Sequence, residues 1–134
     1  MEKIFVDTNI VMDLLEKREN FYQEAQELFT LSDKKKVKLY VSALTFANVH
    51  FLLFKHLKMD ARKVLAKFKV LVEVLTINDK IINLALTSDL RDFEDAIQYY
   101  TAIENEMDII ITRNKKDFKN LNLPVLTAQE FLNR

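Results

Sequence analysis

Four clusters of oxygen-bearing side chains stand out in the sequence. Asp7, Thr8 and Asn9 follow the apolar run Lys3-Ile4-Phe5-Val6. Ser42 follows Leu39-Tyr40-Val41. Asp92 and Asp95 lie three apart at the head of an amphipathic stretch. Thr112, Arg113, Asn114, Lys115, Lys116 and Asp117 follow Ile109-Ile110-Ile111. Carboxylates gathered at one point repel each other, and in water-poor surroundings one of them must take up a proton unless a cation is present. A hard divalent ion such as Mg²⁺ or Mn²⁺ prefers such oxygen ligands. It activates water and stabilises charge on a phosphoryl group. Taken singly, each residue also has an ordinary role: Asp7, Ser42 and Asp92 can cap helices, and first-turn acids suit a helix N-terminus.

Composition narrows the chemistry further. The 134 residues include no cysteine, no tryptophan, one proline and no glycine. About nine glycines are expected at average usage. Glycine-built phosphate cradles, the P-loop and the dinucleotide fingerprint, are therefore excluded. Disulfides, thiolate zinc sites, cysteine-ligated iron–sulfur clusters and a thiol nucleophile are excluded as well. His50 and His56, six apart on one predicted helix, do not share a face. An all-oxygen metal site is what the composition leaves. The formal net charge of zero hides an asymmetry: residues 34–69 carry ten basic residues and one acid, and the rest carries ten basic and nineteen acidic residues. A basic middle can attract phosphates, and acidic ends can attract cations.

The elements that must position these residues follow from periodicity. Short apolar runs at Lys3–Val6, Leu39–Val41, Leu71–Ile77, Ile109–Thr112 and Leu123–Leu126 read as strands. Helical patterns separate them, starting at about Asn9, Asn20, Leu44, Asp60, Asn78 and Asp92. Thr127-Ala128-Gln129-Glu130 fits a capping box for a terminal helix. Alternating strands and helices, with strands apolar on both faces, predict an α/β fold: a three-layer α/β/α sandwich on a central parallel sheet of four to five strands. Its site belongs beyond the carboxyl ends of the strands, at the switch in strand order. Length predicts one domain, 1–134. The chain offers no apolar run long enough for a membrane span and its start lacks the pattern of a signal peptide, so a cytoplasmic protein is expected. Without glycine, the turn between the helix carrying Asp95 and the strand Ile109–Ile111 needs another left-handed residue, and Asn105 is the expected one.

In order and spacing, Val6-Asp7-Thr8-Asn9, Ser42-Ala43-Leu44-Thr45, Asp92-Phe93-Glu94-Asp95-Ala96 and Ile111-Thr112-Arg113-Asn114-Lys115-Lys116-Asp117-Phe118 resemble the PIN domain family over nearly the whole chain. In size the chain is similar to VapC-type toxins of toxin–antitoxin pairs. The resemblance implies a Mg²⁺- or Mn²⁺-dependent ribonuclease that prefers single-stranded RNA. Asp7, Asp95 and Asp117 match its catalytic acids, and Asp92 could add a metal-binding carboxylate. Thr8, Asn9, Ser42, Asn48, Thr112 and Asn114 would support them, with Asn114 at an alternative position for an acid. Arg113, Lys115 and Lys116 would contact RNA phosphates. A cognate antitoxin and a homodimer are the implied protein partners, with no membrane. One position departs from the family: Asn48 stands where a Glu is usual, six residues after Ser42. A PIN-fold module that binds RNA or protein without cleaving is the alternative that this departure opens. A haloacid-dehalogenase-type phosphatase would need a second acid at Asn9, and a receiver domain would need an acid ending the third strand, where Thr76-Ile77 stands.

Overall fold

The computed structural model describes residues 1–118 and 121–134. In chain order the elements are β1 (Lys3–Val6), α1 (Thr8–Leu15), α2 (Tyr22–Asp33), β2 (Lys38–Ser42), α3 (Ala43–Leu57), α4 (Arg62–Lys69), β3 (Glu73–Leu75), α5 (Asp79–Leu86), α6 (Phe93–Glu104), β4 (Ile109–Ile111), a 3₁₀ turn (Lys115–Phe118), β5 (Val125–Leu126) and α7 (Ala128–Leu132). The five strands form one sheet in the order β3-β2-β1-β4-β5, and every pairing is parallel. Register places Phe5 beside Tyr40 on one side and Ile110 on the other. The predicted three-layer sandwich is therefore present, with five strands.

Strand side chains alternate between the two faces. Ile4, Val6, Leu39, Val41, Ile109 and Ile111 pack with α1, α2, α3, α4 and α7 in one apolar cluster. Phe5 and Ile110 point the other way, against Tyr99 and Ala102 of α6. Ile81 and Ala85 of α5 meet Ala96 and Ile97 of α6 in a third cluster. Both faces of the central strands are thus covered, which is why β1 and β4 read as nearly unbroken apolar runs. The outer strand β3 spans three residues rather than the seven expected. It pairs with β2 alone, and Glu73 and Val74 are exposed, so only the paired part is extended.

Helix ends correct two expectations. The helix expected from about Asn20 starts at Tyr22: Asn20 adopts a left-handed φ of 74°, and Phe21 precedes the helix without a side-chain cap. Asn105 is not the left-handed residue after α6. Its φ is −100°, and Glu106, one residue on, has φ 56°. Met107 N–H donates to Ala102 O and Glu106 N–H to Ile103 O, the paired bonds of a Schellman ending, which place the left-handed residue one past the helix cap. Asn105 instead donates its side-chain amide to Thr101 O at 2.8 Å. Lys17, Lys35 and Lys58 also take left-handed φ, Lys58 as the cap of α3, so in this glycine-free chain lysine and glutamate hold conformations usually given to glycine. Other caps are as read from the sequence: Asn78 on α5, Asp92 on α6 and the full capping box of Thr127 and Glu130 on α7.

Candidate active site

The chain runs outward from β1 in both directions of the sheet, to β2 and β3 on one side and to β4 and β5 on the other. The switch point therefore falls between β1 and β4, beyond Val6 and Ile111. Asp7 and Thr112 are the next residues. Asp7 is 6% exposed and Thr112 fully buried. Asp7 N–H extends the ladder by donating to Ile111 O at 2.9 Å. Its carboxylate accepts from Thr8 N–H at 2.9 Å, capping α1, and from Thr112 Oγ1 at 2.7 Å. The same Thr112 oxygen accepts from Asn114 N–H at 3.1 Å, which ties the loop leading to Asp117 to the first aspartate. The structural and chemical roles of Asp7 are therefore one geometry: the bonds that start α1 also aim the carboxylate.

Burial raises the Asp7 carboxyl above its ordinary value, and the Thr112 hydroxyl and Thr8 N–H partly restore the charged form. Asp95, in the first turn of α6, is pushed up to about 7, first by burial and then by the charges of Asp7, Asp92, Asp117 and Glu94. The charge of Asp117 acts on both Asp7 and Asp95. Asp92 is likewise a cap: its Oδ1 accepts from Asp95 N–H at 3.0 Å at the start of α6.

A cavity of about 300 Å³ opens here, lined by Asp7, Thr8, Asn9, Asn48, Glu94, Asp95 and Gln98, with Leu44, Phe51 and Leu52 forming its apolar side. Under its floor lies a network that sequence reading did not identify. Gln98, 3% exposed, donates to Thr8 Oγ1 at 3.1 Å and Thr45 Oγ1 at 3.0 Å, and accepts from Ser42 Oγ. Ser42 Oγ also caps α3 by accepting from Thr45 N–H. One amide therefore locks α1, α3 and α6 together behind the acids. Its only sequence signals are spacings: Gln98 lies one helical turn after Asp95, and Thr45 one turn after Ser42.

The basic residues assigned to RNA contact occupy different settings. Arg113 Nε lies 3.1 Å from the buried Asp13 Oδ2, and its guanidinium stacks 4.0 Å from the Phe21 ring centroid. Lys115 makes two bonds of 3.0 Å to the Glu130 carboxylate. Lys116 is exposed. Asp13, 1% exposed, carried no expectation from the sequence; burial raises its carboxyl, and Arg113 and Arg18 counter that rise.

A model of the PIN domain matches residues 3–116. The chain belongs to the PIN domain family. Among curated proteins, this PIN domain is 28% identical over 141 residues to Ribonuclease VapC1 of Aquifex aeolicus, covering 99% of this chain and 95% of that protein. Among solved structures it is similar to a toxin–antitoxin complex from Klebsiella pneumoniae, with a TM-score of 0.69 and 25% identity over 93% of this chain and 97% of that one. A DNA-bound VapBC from Salmonella typhimurium shares the fold, with a TM-score of 0.69 at 18% identity over 96% of this chain and 99% of that one.

The donor set suits a hard cation. Every polar group lining the cavity offers oxygen or amide, and the Asp95 carboxyl is pushed up to about 7, first by burial and then by the neighbouring negative charges. Among the described residues, no three acids or histidines are gathered tightly enough to enclose an ion by themselves.

Proposed function

We propose that this PIN domain is a Mg²⁺- or Mn²⁺-dependent endoribonuclease of VapC type, hydrolysing phosphodiester bonds of single-stranded RNA. The observation that carries the reading is the placement of Asp7 at the switch point, its carboxylate aimed by Thr112, in one cavity with Asp95. Asp7, Asp95 and Asp117 would hold the ion, with Asn9 and Asn48 offering amide oxygens from the cavity wall. Bound there, the ion supplies a water of lowered pKa and neutralises charge on the phosphoryl oxygens. A cation held there would favour the charged form of Asp95, whose carboxyl burial and neighbouring acids push up to about 7. Thr112 keeps Asp7 in one rotamer, and Gln98 keeps Thr8 and Thr45 from moving under the site. Lys116 is exposed and forms no ion pair among the described residues, so it would be the one to meet backbone phosphate, whereas Arg113 and Lys115 have acidic partners.

The same reading includes a cytoplasmic toxin with a cognate antitoxin and pairing between copies of the chain. Support for a protein partner comes from α3, which exposes Phe51, a cavity residue, at 63%, with Phe54 at 55% and Leu57 at 52% further along the helix. Exposed apolar clusters of this kind mark contact surfaces. No helix among the described residues is long and apolar enough to cross a membrane.

The test compares wild type with Asp7→Asn for cleavage of single-stranded RNA in Mn²⁺, and for growth and RNA integrity on induced expression. Loss of cleavage and of growth arrest in Asp7→Asn is the expected result. An Asp7→Asn protein that cleaves as fast as wild type refutes the assignment. Wild type that neither binds Mn²⁺ calorimetrically nor cleaves RNA identifies the non-cleaving module instead.

A further inference from the structure

A second cavity, of about 440 Å³, opens beside the loop that follows β4, and its size is that of small-molecule sites. It adjoins the cavity of the acids. Asn9 of α1 lines that one and Ile10, the next residue, lines this one. Asn114 lines it too, and its N–H donates to the Thr112 hydroxyl that aims Asp7. Arg113 presents its guanidinium here, 4.0 Å from the Phe21 ring centroid, with Nε 3.1 Å from Oδ2 of Asp13, which is 1% exposed. That buried carboxylate compensates the charge of Arg113 and fixes its plane, which makes the group a flat surface more than a phosphate ligand. Glu24, half-buried in the first turn of α2, also lines the cavity and forms no ion pair among the described residues. A helix N-terminus favours an acid at that position. It does not account for one set beside a buried carboxylate, whose pKa the charge of Glu24 raises. Two like charges at one cavity are costly unless donors come between or beside them.

We infer that this cavity is a subsite for a guanine base of the RNA substrate, with Glu24 accepting from the N1–H and the N2 amine of the base and the Arg113–Phe21 pair providing the stacking surface. The inference rests on the nuclease reading above. Unstacked bases of single-stranded RNA are held on aromatic rings and guanidinium planes and are read at their Watson–Crick edges. A carboxylate offers two acceptor oxygens and no donor. Guanine is the RNA base with two adjacent N–H donors on that edge. Adenine and cytosine set a ring acceptor beside their amine, and uracil sets its N–H between two carbonyls, so each turns an acceptor toward Glu24. The side-chain amides of Asn20 and Gln129 line the same cavity and offer donors to the guanine O6. Because the cavity adjoins the acids, the base read here belongs to a nucleotide near the bond that is cut.

The experiment titrates wild type, Glu24→Gln and Phe21→Leu with guanosine, inosine and uridine, followed by amide NMR shifts. Inosine is guanosine without the N2 amine, and nucleosides carry no phosphate, so binding is read apart from the acids. Phe21 is exposed and Glu24 half-buried, so both variants should fold, which a thermal melt checks. Guanosine should shift the amides of Asn20, Phe21 and Asn114, and inosine and uridine should bind at least about fivefold more weakly, the discrimination of one good base contact. Glu24→Gln should remove the difference between guanosine and inosine, and Phe21→Leu should weaken every nucleoside. Wild type in Mn²⁺ should cleave single-stranded RNA holding guanine faster than the same RNA with inosine in its place. Guanosine that moves none of these amides, or binds no better than inosine and uridine, overturns the subsite, and cleavage by the same protein leaves the nuclease reading standing. A preference for guanosine that survives Glu24→Gln also overturns it. Selective guanosine binding by a wild type that neither binds Mn²⁺ nor cleaves RNA overturns the nuclease reading, and with it the place of this cavity in cleavage.

Discussion

Asp95→Asn should make the metal-free protein more stable, and only above a certain pH. Asp95 has a carboxyl pushed from 3.8 to about 7 in the folded state, first by burial and then by Asp7, Asp92, Asp117 and Glu94. The folded chain therefore binds a proton that the unfolded chain has lost between those two values. Below about pH 4 both states are protonated and the residue costs nothing. As pH rises through 4 to 7 the unfolded state ionises freely and the folded state does not, so wild-type stability falls. Each tenfold change in proton affinity is worth about 1.4 kcal/mol, which makes the full cost at most about 4 kcal/mol. The cavity is open to solvent, and screening cuts this to about 2 kcal/mol. For a chain of this size that corresponds to roughly 4–10 °C in Tm. Asn keeps the shape and removes the charge. Thermal melts with chelator across pH 4 to 8 should show the two proteins converging at pH 4 and Asp95→Asn ahead at pH 8. Saturating Mn²⁺ should raise the Tm of wild type by more than that of the variant. A Tm difference independent of pH, or a variant less stable at pH 8, would refute the electrostatic account of the site.

Two further outcomes follow from the geometry. Arg113→Ala should destabilise by about 3 kcal/mol in urea unfolding, because it strips the nearer cation from the buried Asp13 carboxylate; a variant of unchanged stability whose RNA affinity drops and whose salt dependence flattens would show Arg113 to be a phosphate contact instead. Glu106→Gly should stabilise by about 1 kcal/mol, since Glu106 holds φ 56° after α6 and glycine takes that conformation without a Cβ clash; a loss of stability would mean that the glutamate side chain contributes more than its backbone strain removes.

Legibility varied with range. The strand Lys3–Val6 was read to the residue, because an apolar run ending in aspartate carries its own boundary. The Thr127 capping box was equally local and was found as predicted. Asn105 failed by one position: the composition said that a non-glycine residue must turn left-handed, but the Schellman bonds count from the last helical residue, and the pattern does not place that end within one residue. For Asp92 the sequence left two roles open, and its carboxylate is engaged in the cap. Gln98 and Glu94 carry no local signal because each bonds to residues of another element. Gln98 reaches Thr45, 53 positions away, and Glu94 reaches Asn48 across 46.

The sequence by itself determined the chemistry available, oxygen donors without thiols or glycine cradles, and the alternation of strands and helices that leaves Asp7 and Thr112 at strand ends. Those are properties of composition and of neighbours a few residues apart. Which acids meet, which one caps a helix, and which cations are already paired were decided only by tertiary structure. The strand order brings β4 beside β1, so that Thr112 bonds Asp7 across 105 positions of sequence. A carboxylate's charge state depends on its burial and on the charges around it, and neither exists until the sheet has closed and the helices have packed over it.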